Sequence, residues 1–378
     1  MADELPGRAL QLRSLVTTSQ TVELSLAEVD VAAPGPHQVL LRVEAAPINP
    51  SDLGLLLAGA DVARATASGT AARPVVTVPL GPGAARAAAA RVGVSMPVGN
   101  EGAGTVVAAG SDDTARRLLG QRVAVAGGAM YAQYRSVDAA ACLALPDGVS
   151  AAAGAASFVN PMTVLGMVET MRAEGHRALV HTAAASNLGQ MLNRVCLEEQ
   201  IPLVNIVRSP AQVDLLHAAG AAHVCDSSRD TFMADLVEAL RATSATLAFD
   251  AVGGGTLASR ILSAMEQAAS AGAGFSRYGS STHKQVYVYG SLDRSPTELT
   301  RSYGMAWCVG GWLLTPFLQK AGAEPVAAMR RRVTEGLTTT FASHFTDQVS
   351  LPEALRLDTM AIYARQATGK KYLITPNP

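Results

Sequence analysis

The stretch that can do chemistry is Ala178-Leu179-Val180-His181-Thr182-Ala183-Ala184-Ala185-Ser186-Asn187-Leu188-Gly189-Gln190. An apolar strand runs into small residues, and a helical pattern through Leu188, Leu192, Val195 and Leu197 follows. Small residues at such a junction let a phosphate approach the backbone, and the helix N-terminus meets the anion with N–H groups and the positive end of its dipole. After ~20 further residues a second apolar strand, 203–207, ends in Arg208 where an acid would select an unphosphorylated ribose. An arginine there favours a 2′-phosphate, hence NADPH over NADH. Of a Gly-x-Gly-x-x-Gly pattern only Gly189 remains. These residues alone suit an ordinary buried strand–helix turn equally well, and Arg208 suits a solvated strand end.

The order of the elements that must position this turn weighs between the two readings. From Gly175 the chain alternates strands (177–182, 203–207, 222–226, 245–250, 285–290) with helices (188–199, 210–219, 230–242, 254–268). That rhythm predicts a parallel sheet with right-handed crossovers, covered on both faces. A loop, 270–283, precedes the last clear strand, and from about Pro316 a helix and a final strand, 371–374, are expected. The opening third reads as mainly β, with alternation around 9–13, 22–24, 39–44, 104–109 and 122–126. Residues 60–95 read as an inserted, Ala- and Gly-rich arm with one short helix, 84–92. The arm carries Arg64, Arg73, Arg86 and Arg91. It is expected to be a solvated packing arm, with a flap that attracts an anionic tail as the functional alternative.

Bulk properties narrow the class. The chain has 378 residues, 49% of them hydrophobic and 16% charged, enough for two domains with sizeable cores. A net charge of −1 gives no electrostatic case for nucleic acid. Cys142, Cys196, Cys225 and Cys308 are scattered, with no Cys-x-x-Cys pair, and read as reduced thiols of a cytoplasmic protein. The first residues do not read as a signal peptide, and no uninterrupted apolar run reaches the length of a membrane span.

Further motifs complete the picture: Ala46-Pro47-Ile48-Asn49-Pro50-Ser51-Asp52, Val98-Gly99-Asn100-Glu101-Gly102, Val159-Asn160-Pro161-Met162-Thr163, Asn205-Ile206-Val207-Arg208, Ala251-Val252-Gly253-Gly254, Tyr289-Gly290-Ser291-Leu292 and Gly369-Lys370-Lys371. In this order they resemble the zinc-free medium-chain dehydrogenase/reductase superfamily, in its quinone reductase and 2-enoyl thioester reductase branch. The resemblance covers nearly the whole chain outside 60–95 and 270–283.

The resemblance implies an α/β fold: a Rossmann-type doubly wound parallel cofactor domain plus a mainly β, GroES-like substrate domain. The expected boundaries are 1–153 with 316–378 for the substrate domain and 154–315 for the NADPH-binding domain. It implies Asn160 and Thr163 near the nicotinamide and its ribose, though a helix cap and a buried helix threonine describe them equally well. Ser186, Asn187 and Leu188 would meet the pyrophosphate, and Arg208 and Ser209 the 2′-phosphate. Tyr289, Gly290, Ser291 and Leu292 would lie at the carboxyl edge of the sheet. Trp312 and Leu313 match the family's nicotinamide-side strand, and Lys371 a cofactor-contacting lysine, with Lys370 as the alternative.

The positions that hold catalytic zinc in the alcohol dehydrogenases correspond to the Asn49–Asp52 stretch and Asn100, which offer neither thiolate nor imidazole. No metal is expected, and Asn49 and Asn100 are expected to line the substrate pocket. The thioester reductases carry a catalytic tyrosine soon after the Asn-Pro-Ser-Asp motif, whereas residues 53–130 here contain none. Tyr131 and Tyr134 are remote substitutes, better read as core, and neither Asp52 nor Glu101 is assigned a catalytic role. A hydroquinone monoanion can take its proton from water, so quinone reduction tolerates the loss.

The expected activity is therefore NADPH-dependent hydride transfer to a quinone or other activated alkene. A 2-enoyl thioester reductase is the alternative within the fold, and a non-catalytic NADPH-binding sensor the alternative outside enzymes. A homodimer through cofactor-domain edge strands within 285–313 is expected from the same resemblance.

Overall fold

The computed structural model describes residues 5–366 and 369–377. The chain divides into two compact units, Met1–Val159 with Val333–Pro378, and Asn160–Arg332.

The second unit is built on a sheet of six parallel strands. Their spatial order is His223–Asp226, Leu203–Val207, Leu179–His181, Leu247–Asp250, Lys284–Val288 and Trp307–Gly311. In chain order that is 3-2-1-4-5-6, the arrangement that binds dinucleotides where the order reverses, here between Leu179–His181 and Leu247–Asp250. Helices Asn187–Glu198, Pro210–Ala218, Phe232–Thr243 and Leu257–Ala269 make the crossovers. The strands read as continuous apolar runs because both faces are covered: Leu203–Val207 and Leu247–Asp250 are buried at every position. Sequence alternation anticipated the first five strands and the four helices to within about three residues, but did not include the sixth strand, Trp307–Gly311. It missed a short parallel pair, Gly253–Gly255 with Asp293–Thr297, whose Gly and Pro content argues against strand.

The first unit holds two sheets. One runs Thr66–Gly69, Pro74–Pro79, Thr21–Asp30, Arg8–Val16, Ser95–Pro97, with antiparallel neighbours throughout. In the other, Gln38–Pro47 is central. It pairs with Glu101–Ala109, with Tyr134–Asp138, and at Ala46 and Pro47 with the C-terminal strand Tyr372–Ile374. Leu12, Leu24, Leu41, Val76, Val123 and Met360 are among the residues of the shared core.

Residues 60–95 correct the expectation of a solvated arm. Pro74–Pro79 pairs with Thr21–Asp30, so this segment extends a sheet. The expected helix 84–92 is split into an α-turn, Pro82–Ala87, and a 3-10 turn, Ala89–Arg91. Arg91 is spent on structure, donating to the Leu55 carbonyl at 2.8 Å and to Ser14 Oγ at 2.7 Å, and Arg73 pairs with Glu28. Arg64 and Arg86 are exposed. The signal was present in the β-branched run Val75-Val76-Thr77-Val78, masked by the alanines around it.

The unit boundaries lie later than the sequence expectation of 153/154 and 315/316. Residues 151–159 stay with the first unit because Phe158 N and Val159 N both donate to Glu101. Helix Leu314–Ala321 stays with the second because Phe317 packs on Trp312, ring centroids 5.7 Å apart. Arg332, at the end of that unit, is held by Glu199. One apolar helical stretch among the described residues, Ala151–Ala173, has the length and composition to cross a membrane, and 83% of its apolar 18-residue window is buried inside the protein.

Candidate functional site

Each unit presents its own set of chemically competent residues. In the parallel-sheet unit the first strand ends at His181 and the turn Thr182–Ser186 leads into helix Asn187–Glu198. Ser186 caps that helix, its Oγ accepting from Gly189 N at 3.1 Å. Asn187 and Leu188 form its first turn. Gly189 is required by contact: a Cβ there would stand 2.2 Å from the Ala184 carbonyl oxygen. Ala183 takes a left-handed conformation, φ 51°, which favours glycine, just ahead of Ala184 and Ser186, the two residues that stand at glycine positions of the standard fingerprint.

Beneath this turn Asp250 organises the reversal point. Its carboxylate accepts from Thr182 Oγ1 at 2.7 Å and from Val252 N and Gly253 N, while Thr182 Oγ1 accepts from Ala251 N at 2.8 Å. The sequence reading missed Thr182 and Asp250; their signal was a small polar residue and an acid, each ending an apolar strand.

Arg208 is exposed at the end of the second strand, and its guanidinium has no ion pair among the described residues. Ser209 precedes helix Pro210–Ala218 without making a side-chain cap. An open guanidinium beside an uncommitted hydroxyl, at the carboxyl edge of this sheet, fits the 2′-phosphate of NADPH.

Tyr289–Leu292 follow the fifth strand and Trp312 and Leu313 the sixth. The register of these strands, Val288 opposite Gly311, brings both segments to one groove of about 420 Å³ lined by Tyr289, Gly290, Ser291, Trp312 and Leu313 among others. Tyr289 Oη is not free to point into it: it is hydrogen-bonded to His181 Nε2 at 2.7 Å. Burial pushes His181 down to about 3, so the ring is neutral, and burial raises Tyr289. Trp312 Nε1 donates to Thr170 Oγ1 at 3.0 Å and its ring packs edge-on against Phe249. Gly290 and Ser291 thus offer backbone and a hydroxyl to a ligand, and Tyr289 and Trp312 shape the groove. Asn160 and Thr163 are both buried on helix Val159–Ala173.

In the other unit Asn49, Asn100, Lys371, Asp52 and Glu101 come together, from positions far apart in the chain. Asp52 Oδ2 accepts from Asn49 N at 2.8 Å and Oδ1 from Asn100 N at 2.7 Å. Burial pushes Asp52 up to about 7 against these hydrogen bonds. Glu101 is fully buried; Oε1 accepts from Asn49 Nδ2 at 2.7 Å and Oε2 from Phe158 N and Val159 N at 2.9 Å. Burial raises its carboxyl, opposed by those bonds and by Lys371. Both acids therefore position backbone, as helix cap and loop anchor. Asn100 Nδ2 donates to Ser51 Oγ at 3.0 Å.

The two terminal lysines separate cleanly. Lys370 is exposed and pairs with Asp347 at 3.2 Å. Lys371 Nζ is buried, over the Phe345 ring at 5.0 Å, with no hydrogen-bond partner among the described residues. Tyr131, fully buried, donates to the Pro47 carbonyl at 3.0 Å, and a Cβ on Gly99 would meet its ring at 2.5 Å. It is core, as its strand context suggested. Among the described residues no group of three or more His, Cys, Asp or Glu is placed to hold a metal ion.

Residues 35–147 match the alcohol dehydrogenase GroES-like domain family. A search of curated proteins found no match. Among solved structures, a candidate NADPH:quinone reductase from Mesorhizobium loti is similar at 27% identity, TM-score 0.74, over 99% of this chain and 100% of that one. The Escherichia coli quinone oxidoreductase in complex with NADPH is similar at 17% identity and TM-score 0.68, over 97% of this chain and 100% of that one. A mutant enoyl thioester reductase from Candida tropicalis gives 16% and 0.66, over 97% of this chain and 99% of that one. A GroES-like domain joined to a 3-2-1-4-5-6 sheet is the fold of the medium-chain dehydrogenases/reductases. The chain has that two-domain fold, shared with the solved structures above, and its residues 35–147 carry the GroES-like domain.

Proposed function

We propose that this protein is an NADPH-dependent oxidoreductase that transfers hydride to a quinone or another activated alkene without a metal. The observation that carries the cofactor assignment is Arg208 with Ser209, open at the end of the second strand of a dinucleotide-binding sheet. The NADPH complex of the E. coli quinone oxidoreductase supports it. Bound NADPH supplies a hydride from C4 of its dihydronicotinamide.

The protein's own contributions are binding and orientation. Arg208 and Ser209 hold the 2′-phosphate. The N-terminal turn of helix Asn187–Glu198 receives the pyrophosphate. The Gly290–Ser291 and Leu313 groove takes the nicotinamide end, with Asn160 and Thr163 toward its ribose. In the GroES-like unit Asn49 and Asn100 face the acceptor. Metal independence is supported by the donor set: the acids next to these asparagines, Asp52 and Glu101, are committed to backbone N–H groups.

The test is NADPH consumption by purified protein with 1,4-benzoquinone and a medium-chain 2-enoyl thioester in parallel. Turnover with the quinone supports the reading, and turnover with the thioester alone replaces it by the thioester reductase. Tight NADPH binding without turnover over a broad acceptor panel makes the protein a sensor, and failure to bind NADPH removes all three.

A further inference from the structure

Strand Trp307–Gly311 is the last of the six-stranded sheet and pairs on one side, with Lys284–Val288. Lys284 N donates to the Ala306 carbonyl and Trp312 N to the Val288 carbonyl, both at 3.0 Å. Backbone groups alternate sides along a strand, so Ala306, Cys308, Gly310 and Trp312 face that neighbour. Trp307, Val309 and Gly311 therefore turn their N–H and C=O groups to the open side, with Val309 in the middle.

Large apolar side chains stand exposed beyond both ends of this strand. At its start Met305 is 74% exposed, and Tyr278 and Phe275 of loop 270–283 are 64% and 99% exposed. The Tyr278 carbonyl accepts from Met305 N at 3.0 Å, which fixes the loop beside the strand. Just past its end Leu313 is 62% exposed. The loop is held at its base: Glu266 accepts from Ser280 N and Oγ, both at 2.7 Å, and pairs with Lys284. A loop already held in place loses little freedom on docking.

We infer that loop 270–283 is a clasp for a second copy of this chain. Two copies of Trp307–Gly311 pair antiparallel about Val309, and the Phe275, Tyr278 and Met305 of each copy cover the Leu313 of the other.

Symmetry selects this occupant. A twofold axis at Val309 sets Trp307 opposite Gly311, so the outward backbone groups of one copy meet those of the other. Met305 and Leu313 lie at equal distances along the chain from Val309, on either side of it, and the same axis brings them opposite each other. Area sets the need for the loop. A stable interface covers about 800 Å² per partner, more than the edge of a five-residue strand provides. A covered aromatic side chain adds roughly 150–250 Å². Phe275 and Tyr278, present in both copies, close that gap.

The experiment weighs the full-length protein by light scattering over a dilution series, as wild type and as Phe275→Asp. The wild type is expected at about twice the 38.9 kDa chain mass. Phe275→Asp is expected to raise the dimer Kd by about 10- to 100-fold. Its side chain touches no core, so the thermal melt of the monomer is expected to be unchanged. Register is read in a Cys308→Ser background by mixing Met305→Cys with Leu313→Cys and adding a short bismaleimide. The mixture is expected to cross-link and neither variant alone; the parent without an added cysteine corrects for Cys142.

A monomeric wild type overturns the inference, and the exposed patch then serves another partner or none. A dimer that Phe275→Asp does not weaken overturns the clasp. Cross-linking of either variant with itself, or none in the mixture while the dimer persists, overturns the pairing about Val309. None of these outcomes bears on the NADPH reading, which cofactor titration decides.

Discussion

Replacing Arg208 by Asp turns the cation at the end of strand Leu203–Val207 into the acid that NADH-selective sheets carry. Loss of a charged hydrogen bond of about 1.5–3 kcal/mol raises the KM for NADPH by about 10- to 100-fold and removes its preference over NADH. Steady-state kinetics with the two cofactors measure this, and unchanged preference rejects the role of Arg208. Asp52 makes a different demand. Its folded pKa, about 7, lies above the ordinary 3.8 because burial outweighs its two backbone hydrogen bonds. The folded state therefore keeps the proton between these values while the unfolded state has released it. Asp52 costs stability progressively as pH rises from about 4 to 7, and the cost is constant above. The Tm of Asp52→Asn, followed over that range, is expected to show a shallower decline with pH than the wild type.

At the scale of elements, the strand–turn–helix junction depends on a contact distance. Gly189→Ala places a methyl 2.2 Å from a backbone oxygen that cannot retreat, so the turn must move. A loss of about 1–3 kcal/mol is expected, together with weaker NADPH binding, read by thermal melting and by cofactor titration. The other vulnerable element is the close of loop 270–283. Lys284, fully buried, pairs with Glu266 at 2.6 Å, and Glu266 also accepts from Ser280 N and Oγ and from Ser270 Oγ. Burial would raise Glu266, but Lys284 and the serines outweigh it and hold the acid down at about 2. Its contribution is present above pH 4.5 and is lost as pH falls toward 2. Lys284→Met strands that carboxylate and is expected to cost about 3–5 kcal/mol near neutral pH, measured by denaturant unfolding.

At the scale of the whole molecule, the six-stranded sheet ends at Trp307–Gly311, a strand paired on one side by Lys284–Val288. An open strand edge is a template for another copy, and the proposed assembly is a homodimer through this edge. Light scattering is expected to give about twice the 38.9 kDa chain mass. A monomeric mass rejects the dimer and leaves the cofactor reading untouched.

Local pattern alone determined a good deal. The apolar strand runs, the helices between them and the small-residue turn ending in Gly189 are relations among chain neighbours, so the parallel sheet and Arg208 at its second strand were legible. The rest depends on contacts between distant residues. Asn49, Glu101 and Phe158 form one hydrogen-bonded path across more than a hundred positions, and nothing near Glu101 in sequence says that it caps the turn at 158–159. Composition made 60–95 look like a solvated arm until pairing with Thr21–Asp30 made it part of a sheet. Lys370 and Lys371 are identical as residue types. Only tertiary structure decided which is solvated beside Asp347 and which is buried near two acids, because burial is a property of everything packed around a side chain.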